Sequence, residues 1–146
     1  KTPYTIFRTN FIGIGASKKN NLSKWIINNL KKKNKIQTFK NIIFSPIHTS
    51  TLVDIVMKAI SQKNLGTYNV GSKDKISKSE FAKKIAKYLK ISNKLLEEVN
   101  YEKVKLLAKR PKDMSLNCDR FERKFKYKLP YVDNEIQKLI KEAKIR

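Results

Sequence analysis

The sequence predicts an α/β fold in which strands alternate with amphipathic helices. Residues 4–12 are rich in β-branched and aromatic side chains and end at a glycine turn, a pattern typical of a buried strand. Residues 77–91 begin with Ser-x-x-Glu, a capping box whose side chains satisfy free backbone N–H groups, and continue with apolar residues at helical spacing. Because segments of these two kinds alternate along the chain, crossover connections between strands are expected.

The first strand is followed by a helix and a second strand. The helix is expected to begin at Asn21, a residue type that caps helices, and to end in the lysine run 31–33, where positive charges stabilise the carboxyl end of the helix dipole. Residues 36–44 have strand character, and Ser45 and Pro46 interrupt them, since proline lacks the N–H that a strand donates. A loop is expected after this interruption.

A further helix and a short strand come next. Thr51 and Asp54 have the spacing of a capping box with Asp in place of Glu, and apolar residues then recur on one helix face until Gly66. Residues 67–70 read as a short strand. This part of the chain therefore predicts one more crossover unit.

The remainder is predicted to be mainly helical. Residues 121–125 place two phenylalanines four positions apart on a short helix, and residues 132–143 form a final amphipathic helix. The stretch 95–109 is poorly periodic, and Pro111 marks its end. Without an internal repeat, the chain predicts one domain or part of a larger one.

The charge has two interpretations. A formal net charge of +22 is typical of proteins that neutralise nucleic-acid phosphates. However, only five of the 34 basic residues are arginines, whereas proteins that read bases favour arginine. Lys, Asn and Ile share A/T-rich codons, so genome composition accounts for much of the charge. In addition, no acidic residue precedes Asp54, which favours an anionic ligand near the first half of the chain.

Two short motifs of nucleotide-binding enzymes occur without their usual context. Residues 13–15 read Gly-Ile-Gly after a strand, but Lys18 stands where a dinucleotide-binding turn has its third glycine. Tyr101 and Lys105 have the Tyr-x-x-x-Lys spacing of a proton-donating pair. Six tyrosines in a lysine-rich chain make such a match expected by chance. No catalytic residue is therefore predicted.

The remaining reactive residue types are few. His48 is expected to pack or hydrogen-bond in the loop after Pro46, with ligand contact as the alternative, and Cys118 to be a small buried apolar group. Trp25 and the phenylalanines fall on helix faces that predict core packing. A single cysteine and a single histidine predict no metal site. Arg110 is interpreted either as a phosphate contact or as a structural salt bridge.

The sequence also bears on location. No apolar run approaches the roughly 20 residues that a membrane-spanning helix needs, and residues 1–4 resemble neither a signal peptide nor a transit peptide. A cytoplasmic protein without membrane contact is therefore expected. Because the chain begins with lysine and opens directly into a strand-like run, it is interpreted as a fragment.

Several segments, taken in order over nearly the whole chain, resemble the C-terminal half of the dTDP-4-dehydrorhamnose reductases, which are extended short-chain dehydrogenases/reductases. The family patterns are a Leu-Arg-Thr-Ser-Trp-Val-Tyr-Gly strand, a Gly-Ser-Pro-Thr-Tyr-Thr-x-Asp-Leu segment, a Gly-x-Tyr-His-x-Ser-Gly strand with its following helix, an Arg-Pro motif, and a Leu-Pro before the last helix. The matching segments here are FRTNFIG at 7–13, FSPIHTSTL at 44–52, GTYNVG at 66–71, SEFA at 79–82, KRPKDMSLN at 109–117, Phe125 and KLP at 128–130.

The resemblance implies a fold class and a function. It implies that residues 1–146 are the C-terminal part of a Rossmann-like protein with a small α/β substrate-binding cap, and that the N-terminal NAD(P)-binding half is absent. The full-length protein is implied to be an NAD(P)H-dependent reductase of a dTDP-4-keto-6-deoxy sugar. The fragment, which lacks the catalytic Ser or Thr, Tyr and Lys of that half, is expected to be inactive alone and to bind a nucleotide diphosphate sugar.

The resemblance also implies site residues. Thr9 and Asn10 are expected near the nicotinamide. The residues expected to bind the nucleotide sugar are Asn10, Phe11, Asn21, Leu22, Ser45, Pro46, Thr49 and Arg110.

The chain departs from the family at three positions in two of these segments. Phe11 replaces a usual Trp, Gly13 a usual Tyr, and Phe44 a Gly or polar residue. The identity of the sugar therefore stays open. A sugar-nucleotide epimerase or dehydratase and a non-catalytic regulatory subunit of the same fold are alternatives, and a basic nucleic-acid-binding module is the least favoured. Because strands 4–12 and 67–70 would be parallel members of a sheet whose other strands are missing, unpaired edges and self-association, including a homodimer, are expected.

Overall fold

The computed structural model describes residues 2–15, 21–104 and 111–145. Strands and helices alternate as expected for an α/β fold, and two short 3-10 turns, Asn93–Leu95 and Tyr101–Lys103, flank one of the strands. The strands are β1 Thr5–Ile12, β2 Ile36–Phe39, β3 Ile43–Phe44, β4 Pro46–His48, β5 Gly66–Val70, β6 Ile76–Ser77, β7 Leu96–Val99 and β8 Asp113–Met114. The helices are α1 Leu22–Lys31, α2 Thr49–Gln62, α3 Lys78–Tyr88, α4 Asp119–Phe125 and α5 Val132–Ile145.

β1 is the middle strand of a parallel sheet with the order β4-β1-β5. β5 pairs with β1 along residues 5–9, whereas β4 pairs with it only along residues 10–12. The expected parallel pairing of residues 4–12 with residues 67–70 is thus confirmed. Along residues 5–9, the second edge of β1 has no partner strand within the described ranges.

α1 and α3 begin where the sequence indicates. Asn21 Oδ1 accepts the N–H of Lys24 at 2.9 Å, and Ser77 Oγ accepts the N–H of Glu80 at 3.0 Å. The Glu80 carboxylate instead pairs with Lys83 Nζ at 2.9 Å. At each helix start, one side-chain oxygen accepts a backbone N–H that has no partner inside the helix. This hydrogen bond fixes the residue at which the helix begins.

The expectation of one strand over residues 36–44 is wrong. β2 pairs in parallel with β7, whereas β3 lies between β6 and β8 in a separate small sheet. Asn41 causes the break, since its Oδ1 accepts the N–H of Tyr101 at 2.8 Å and its Nδ2 donates to Glu102 at 2.7 Å. A side chain that bonds to a neighbouring backbone in this way competes with the strand ladder. β7 was not predicted.

The expectations of a loop after Pro46 and of a helix start at Thr51 are also wrong. Pro46 is the first residue of β4, a position where a strand tolerates proline. α2 begins at Thr49, because His48 caps it by accepting the N–H of Ser50 on Nδ1 at 3.2 Å. Thr51 is buried inside the first turn of α2, so it does not act as the cap.

The helices enclose two apolar cores. The first lies among α1, α3 and α5, and Ile26, Phe81 and Leu139 are among its fully buried members. Helix faces with apolar residues at spacings of three and four predict this arrangement. The predicted amphipathic faces of all three helices are therefore confirmed.

The second core lies among β5, α2 and α4, and aromatic rings of β5 and α4 contact one another in it. Phe121 and Phe125 are stacked with centroids 4.6 Å apart, and Tyr68 meets Phe125 edge to face at 5.0 Å. Cys118 lies buried beside them, and burial raises the pKa of its thiol above the usual value. The expectations of core phenylalanines and of a buried, apolar Cys118 are confirmed.

The described residues contain neither a candidate membrane span nor a candidate metal site. None of the helices in ranges 2–15, 21–104 and 111–145 has the length and apolar character that a bilayer crossing requires. In the same ranges, no group of three or more His, Cys, Asp or Glu side chains is arranged to hold a metal ion.

Phe121→Ala tests the aromatic core. Phe121 is fully buried, so its truncation is expected to lower the free energy of unfolding by about 3–5 kcal/mol through lost burial and a cavity. Urea unfolding followed by circular dichroism measures this. Ile145→Ala, at a side chain that is 86% exposed, is the control and should change the value by less than about 0.5 kcal/mol. Equal effects of the two variants would contradict this account of the core.

Asp133 links α5 to α3. Its carboxylate lies 2.8 Å from Lys84 Nζ and accepts the Tyr88 hydroxyl at 2.6 Å. The hydrogen bond from Lys84, followed by that from Tyr88, lowers the pKa of Asp133 to about 2. Because the pKa is lower in the folded state, the resulting stability is present above the ordinary value of 3.8 and is lost as the pH falls toward 2.

Asp133→Asn is therefore expected to remove part of the acid sensitivity of the fold. The lost free energy of unfolding at neutral pH should be about 1 kcal/mol, since the partly exposed pair is screened by solvent. Unfolding titrations between pH 5 and pH 2 measure the slope. Asp54→Asn, an exposed carboxylate on α2, provides the control. An unchanged slope for Asp133→Asn would refute the assignment.

Candidate functional site

Four of the expected site residues meet at the carboxyl end of β1. Asn10, Phe11, Asn21 and Leu22 line one cavity of about 130 Å³. β1 supplies the first two residues, and the start of α1 supplies the other two. The remaining lining residues are Ile12, Ser23, Phe44 and Lys78. The structure thus brings together residues that the sequence separates by a loop.

Hydrogen bonds within the chain orient the two amide side chains. Asn10 Nδ2 donates to the Met114 carbonyl at 2.8 Å. Asn21 Nδ2 donates to the Gly13 carbonyl at 2.9 Å, and its Oδ1 caps α1. Both side chains are therefore fixed before any ligand arrives, which reduces the entropy lost on binding.

A larger cavity of about 690 Å³ adjoins the first one, and Leu22 and Lys78 line both. Its walls come mainly from α1 and β2, including Trp25, Ile36 and Phe39. Trp25 packs on the first core, as expected, and also faces this cavity. This cavity was not predicted, because residues 36–44 have the pattern of a single strand.

Three further expected site residues line neither of these cavities. Ser45 is buried, and its Oγ accepts the N–H of Leu116 at 3.4 Å. Pro46 is paired with Asn10 in the sheet. Thr49 lies beside Phe11 in a separate apolar groove along α2. Their proposed contacts with a nucleotide sugar stay predictions.

Arg110 lies outside the described residues. The choice between a phosphate contact and a structural salt bridge for Arg110 therefore stays open. Lys105 lies outside them as well, so the Tyr101 to Lys105 pair is not described. The Tyr101 ring itself packs edge to face on Phe39 with centroids 5.9 Å apart.

Thr9 and Asn10 are the two residues expected near the nicotinamide. Thr9 Oγ1 is buried and has no hydrogen-bond partner within the described ranges, so this hydroxyl is not presented at a surface that a dinucleotide could reach. The amide nitrogen of Asn10 is already bonded to Met114. The expected positions of Thr9 and Asn10 near a nicotinamide stay predictions.

One carboxylate on α5 holds the loop that follows β1. Glu142 Oε2 accepts the N–H of Ile14 at 2.9 Å and lies 3.2 Å from His48 Nε2. His48 is buried, its own N–H donates to Glu135 Oε2 at 2.6 Å, and its ring caps α2. The expected hydrogen-bonding role of His48 is confirmed. His48 is the last residue of β4 and does not lie in a loop.

Comparison with known proteins assigns the chain to a family. A family model described as the RmlD substrate binding domain matches residues 1–145. The chain belongs to this family. The resemblance seen in the sequence and the α/β fold class that it implies are confirmed. A search of curated protein sequences returned no match.

Solved structures agree with this assignment. A dTDP-4-dehydrorhamnose reductase of Bacillus anthracis in complex with NADP has 27% identity and a TM-score of 0.85, covering 95% of this chain and 48% of that chain. The corresponding protein of Clostridium acetobutylicum has 25% identity and a TM-score of 0.84, covering 97% and 49%. A dTDP-glucose 4,6-dehydratase of Bacillus anthracis, at 14% identity and a TM-score of 0.79 over 97% and 45%, shares the fold alone. This RmlD substrate-binding domain spans about half the length of those reductases.

Glu142→Ala tests how the domain holds its site loop. Without this carboxylate the N–H of Ile14 loses its acceptor, which is expected to lower the free energy of unfolding by about 1–3 kcal/mol. Hydrogen exchange at the Ile14 amide should accelerate as well. Glu97→Ala, at an exposed strand position, is the control. Unchanged exchange at Ile14 would show that Glu142 does not hold the loop.

Proposed function

We propose that this chain is the sugar-nucleotide-binding portion of an NAD(P)H-dependent reductase of a dTDP-4-keto-6-deoxy sugar. The family match over residues 1–145 and the similarity to two dTDP-4-dehydrorhamnose reductases support the proposal. Because the chain spans about half of those reductases, the reaction is proposed for the full-length protein. The chain alone binds the nucleotide sugar without transforming it.

The observation that carries the proposal is the cavity at the carboxyl end of β1, together with the larger cavity that shares Leu22 and Lys78 with it. Ligands of parallel α/β sheets bind at this edge, where strand ends and helix starts converge. The larger cavity, of about 690 Å³, lies within the usual range of roughly 300–1,000 Å³ for small-molecule sites. The amides of Asn10 and Asn21 supply fixed polar groups at the smaller cavity.

The cofactor is proposed to be NAD(P)H, bound mainly by an N-terminal half that this chain lacks. The fixed Asn10 amide and the buried Thr9 hydroxyl favour a minor role for this chain in cofactor binding. The chemistry that the cofactor supplies is the delivery of a hydride to a ketone. The protonation of the ketone oxygen is assigned to the missing half.

The remaining partners follow from the same proposal. The full-length protein is proposed to work in the cytoplasm and to form a homodimer. A nucleic-acid partner is disfavoured, because stacking on bases needs aromatic rings exposed among the lysines. Phe7, Tyr68, Phe121 and Phe125 instead contact one another in the second core.

A related dehydratase is the second candidate, since the dTDP-glucose 4,6-dehydratase of Bacillus anthracis shares the fold. The higher identity to the two reductases favours reduction. Product analysis with the full-length protein separates the two, because a reductase consumes NAD(P)H stoichiometrically and a dehydratase does not.

A thermal-shift titration with dTDP, UDP, NADPH and a short DNA duplex tests nucleotide binding. Stabilisation by dTDP or UDP is expected at low and near-physiological salt, reaching about 2.7 kcal/mol at a ligand concentration 100 times the Kd. Stabilisation by DNA alone, lost in salt, would instead identify a polyelectrolyte binder. No stabilisation by either nucleotide would contradict the proposed function of the chain.

Two neighbouring asparagines on α1 test where the nucleotide binds. Asn29 lines the larger cavity, whereas Asn28 is exposed and lies outside both cavity walls. Asn29→Ala is expected to weaken dTDP or UDP binding about two- to tenfold, the range of one neutral hydrogen bond. Asn28→Ala should leave the Kd unchanged. Equal effects would place the nucleotide elsewhere.

A further inference from the structure

His48 is the only histidine of the chain, and it is buried where three elements meet. It is the last residue of β4, and its backbone N–H donates to Glu135 Oε2 of α5 at 2.6 Å. Its ring lies between the start of α2 and α5, with Nδ1 3.2 Å from the Ser50 nitrogen and Nε2 3.2 Å from Glu142 Oε2. The two ring nitrogens therefore face groups of opposite kinds, a donor and an acceptor.

These contacts define the protonation state of the ring. A backbone N–H can only donate, so the Nδ1 that accepts the N–H of Ser50 carries no proton. The Nε2 nitrogen faces a carboxylate oxygen, so it carries the single proton of the neutral imidazole and donates it to Glu142. The neutral ring is thus the form that caps α2.

Protonation of the ring changes its two contacts with Ser50 in different ways. The Ser50 hydroxyl lies 2.8 Å from Nδ1 and can rotate to accept a new Nδ1 proton, since a hydroxyl both donates and accepts. The Ser50 backbone N–H cannot accept, so it loses its partner and α2 loses this cap. Histidine ordinarily changes charge between about pH 5 and 8, so both forms of the ring are reachable in solution.

The charged side chains that face His48 within the described ranges come from α5. Glu142 faces the ring, and Glu135 accepts the backbone N–H. Lys138 Nζ lies 2.9 Å from Glu135 Oε1 and donates to Thr51 Oγ1 at 2.5 Å. The residues of β1 and of the first turn of α2 beside His48 are uncharged. Two carboxylates against one ammonium offset the cost of burying an imidazolium at this position.

Glu142 connects the ring to the loop that follows β1. The same oxygen, Oε2, lies 3.2 Å from His48 Nε2 and accepts the N–H of Ile14 at 2.9 Å. Hydrogen bonds between two ionised groups are shorter and stronger than those with one ionised group. Protonation of His48 therefore draws Oε2 toward the ring and changes its bond to Ile14.

This loop contacts both the start of α2 and the candidate site. A Cβ atom at Gly13 would lie 2.8 Å from Thr49 Oγ1, so the loop packs directly against the first residue of α2. The Gly13 carbonyl accepts the Asn21 amide at 2.9 Å, and Asn21 lines the smaller cavity. A change at the His48 ring thus reaches the cavity through Glu142 and the loop.

We propose that His48 is a pH-sensitive switch that couples the start of α2 to the loop after β1. The neutral ring accepts the N–H of Ser50 and caps α2. The protonated ring donates to the Ser50 hydroxyl, releases that N–H and binds Glu142 as a cation, which alters the hold on Ile14. The switch involves no ligand, so its test does not depend on the proposed function of the chain.

Two-dimensional NMR of the chain between about pH 8 and pH 5 tests the proposal, because a single histidine gives a single imidazole titration. At the upper end, the nitrogen shifts of the ring should show a proton on Nε2 alone. As the ring is protonated, the amide resonances of Ser50 and Ile14 should shift with the same midpoint as the imidazole. The Glu80 amide, which the Ser77 hydroxyl caps, is the internal control and should not follow that midpoint.

Three variants separate the steps, and circular dichroism melting verifies that each one folds. His48→Asn keeps a capping side chain and removes the titration, so both amide shifts should be lost. Glu142→Gln keeps an oxygen for the N–H of Ile14 but removes the charge, so Ser50 should still follow the imidazole while Ile14 loses most of its shift. Glu97→Gln, at an exposed carboxylate on β7, is the matched control and should change neither shift.

The proposal fails if the imidazole titrates while the amides of Ser50 and Ile14 do not follow it. It also fails if the neutral ring carries its proton on Nδ1, or if the ring stays neutral down to the pH at which the chain unfolds. Amide shifts that persist in His48→Asn would belong to another group and would overturn it as well. If His48→Asn does not fold, the wild-type titration and Glu142→Gln decide the question.

Discussion

β1 is held by parallel ladders on both edges, to β5 along residues 5–9 and to β4 along residues 10–12. This pairing places Asn10 and Phe11 at the carboxyl end of the sheet, and the chain leaves from the same end into α1. The smaller cavity forms where α1 packs beside that end, and the larger cavity adjoins it between α1 and β2. A change in the register of β1 would turn its side chains to the opposite faces and dismantle the site.

The elements that the sequence predicted correctly are those with local causes. Ser77 caps α3 through one hydrogen bond to Glu80, and the apolar spacing that follows decides which face is buried. The errors have distant causes. Asn41 breaks the strand over residues 36–44 by bonding to the backbone of Tyr101, and β7 forms because β2 offers it an edge. Contacts between residues about 60 positions apart leave no local signature in a sequence.

The site was only partly predictable for the same reason. The family resemblance indicated Asn10, Phe11, Asn21 and Leu22, and the structure places these four around one cavity. It did not indicate Lys78, which in the sequence is one lysine among many. The junction of two cavities distinguishes Lys78 from the others, and that junction is made by α1, β2 and α3 together.

The large apolar side chains left exposed are concentrated beside the open edge of β1. Phe11, Val53 and Met57, each more than half exposed, line a groove along α2. Val56 belongs to that groove and to a second one that contains Tyr4 and Ile60, so the apolar surface is continuous. In parallel α/β sheets the strand edges and helix faces are normally covered, because burial of both faces stabilises the sheet. In a chain half as long as the reductases that it resembles, this surface is the pattern expected where a sheet continues past β1.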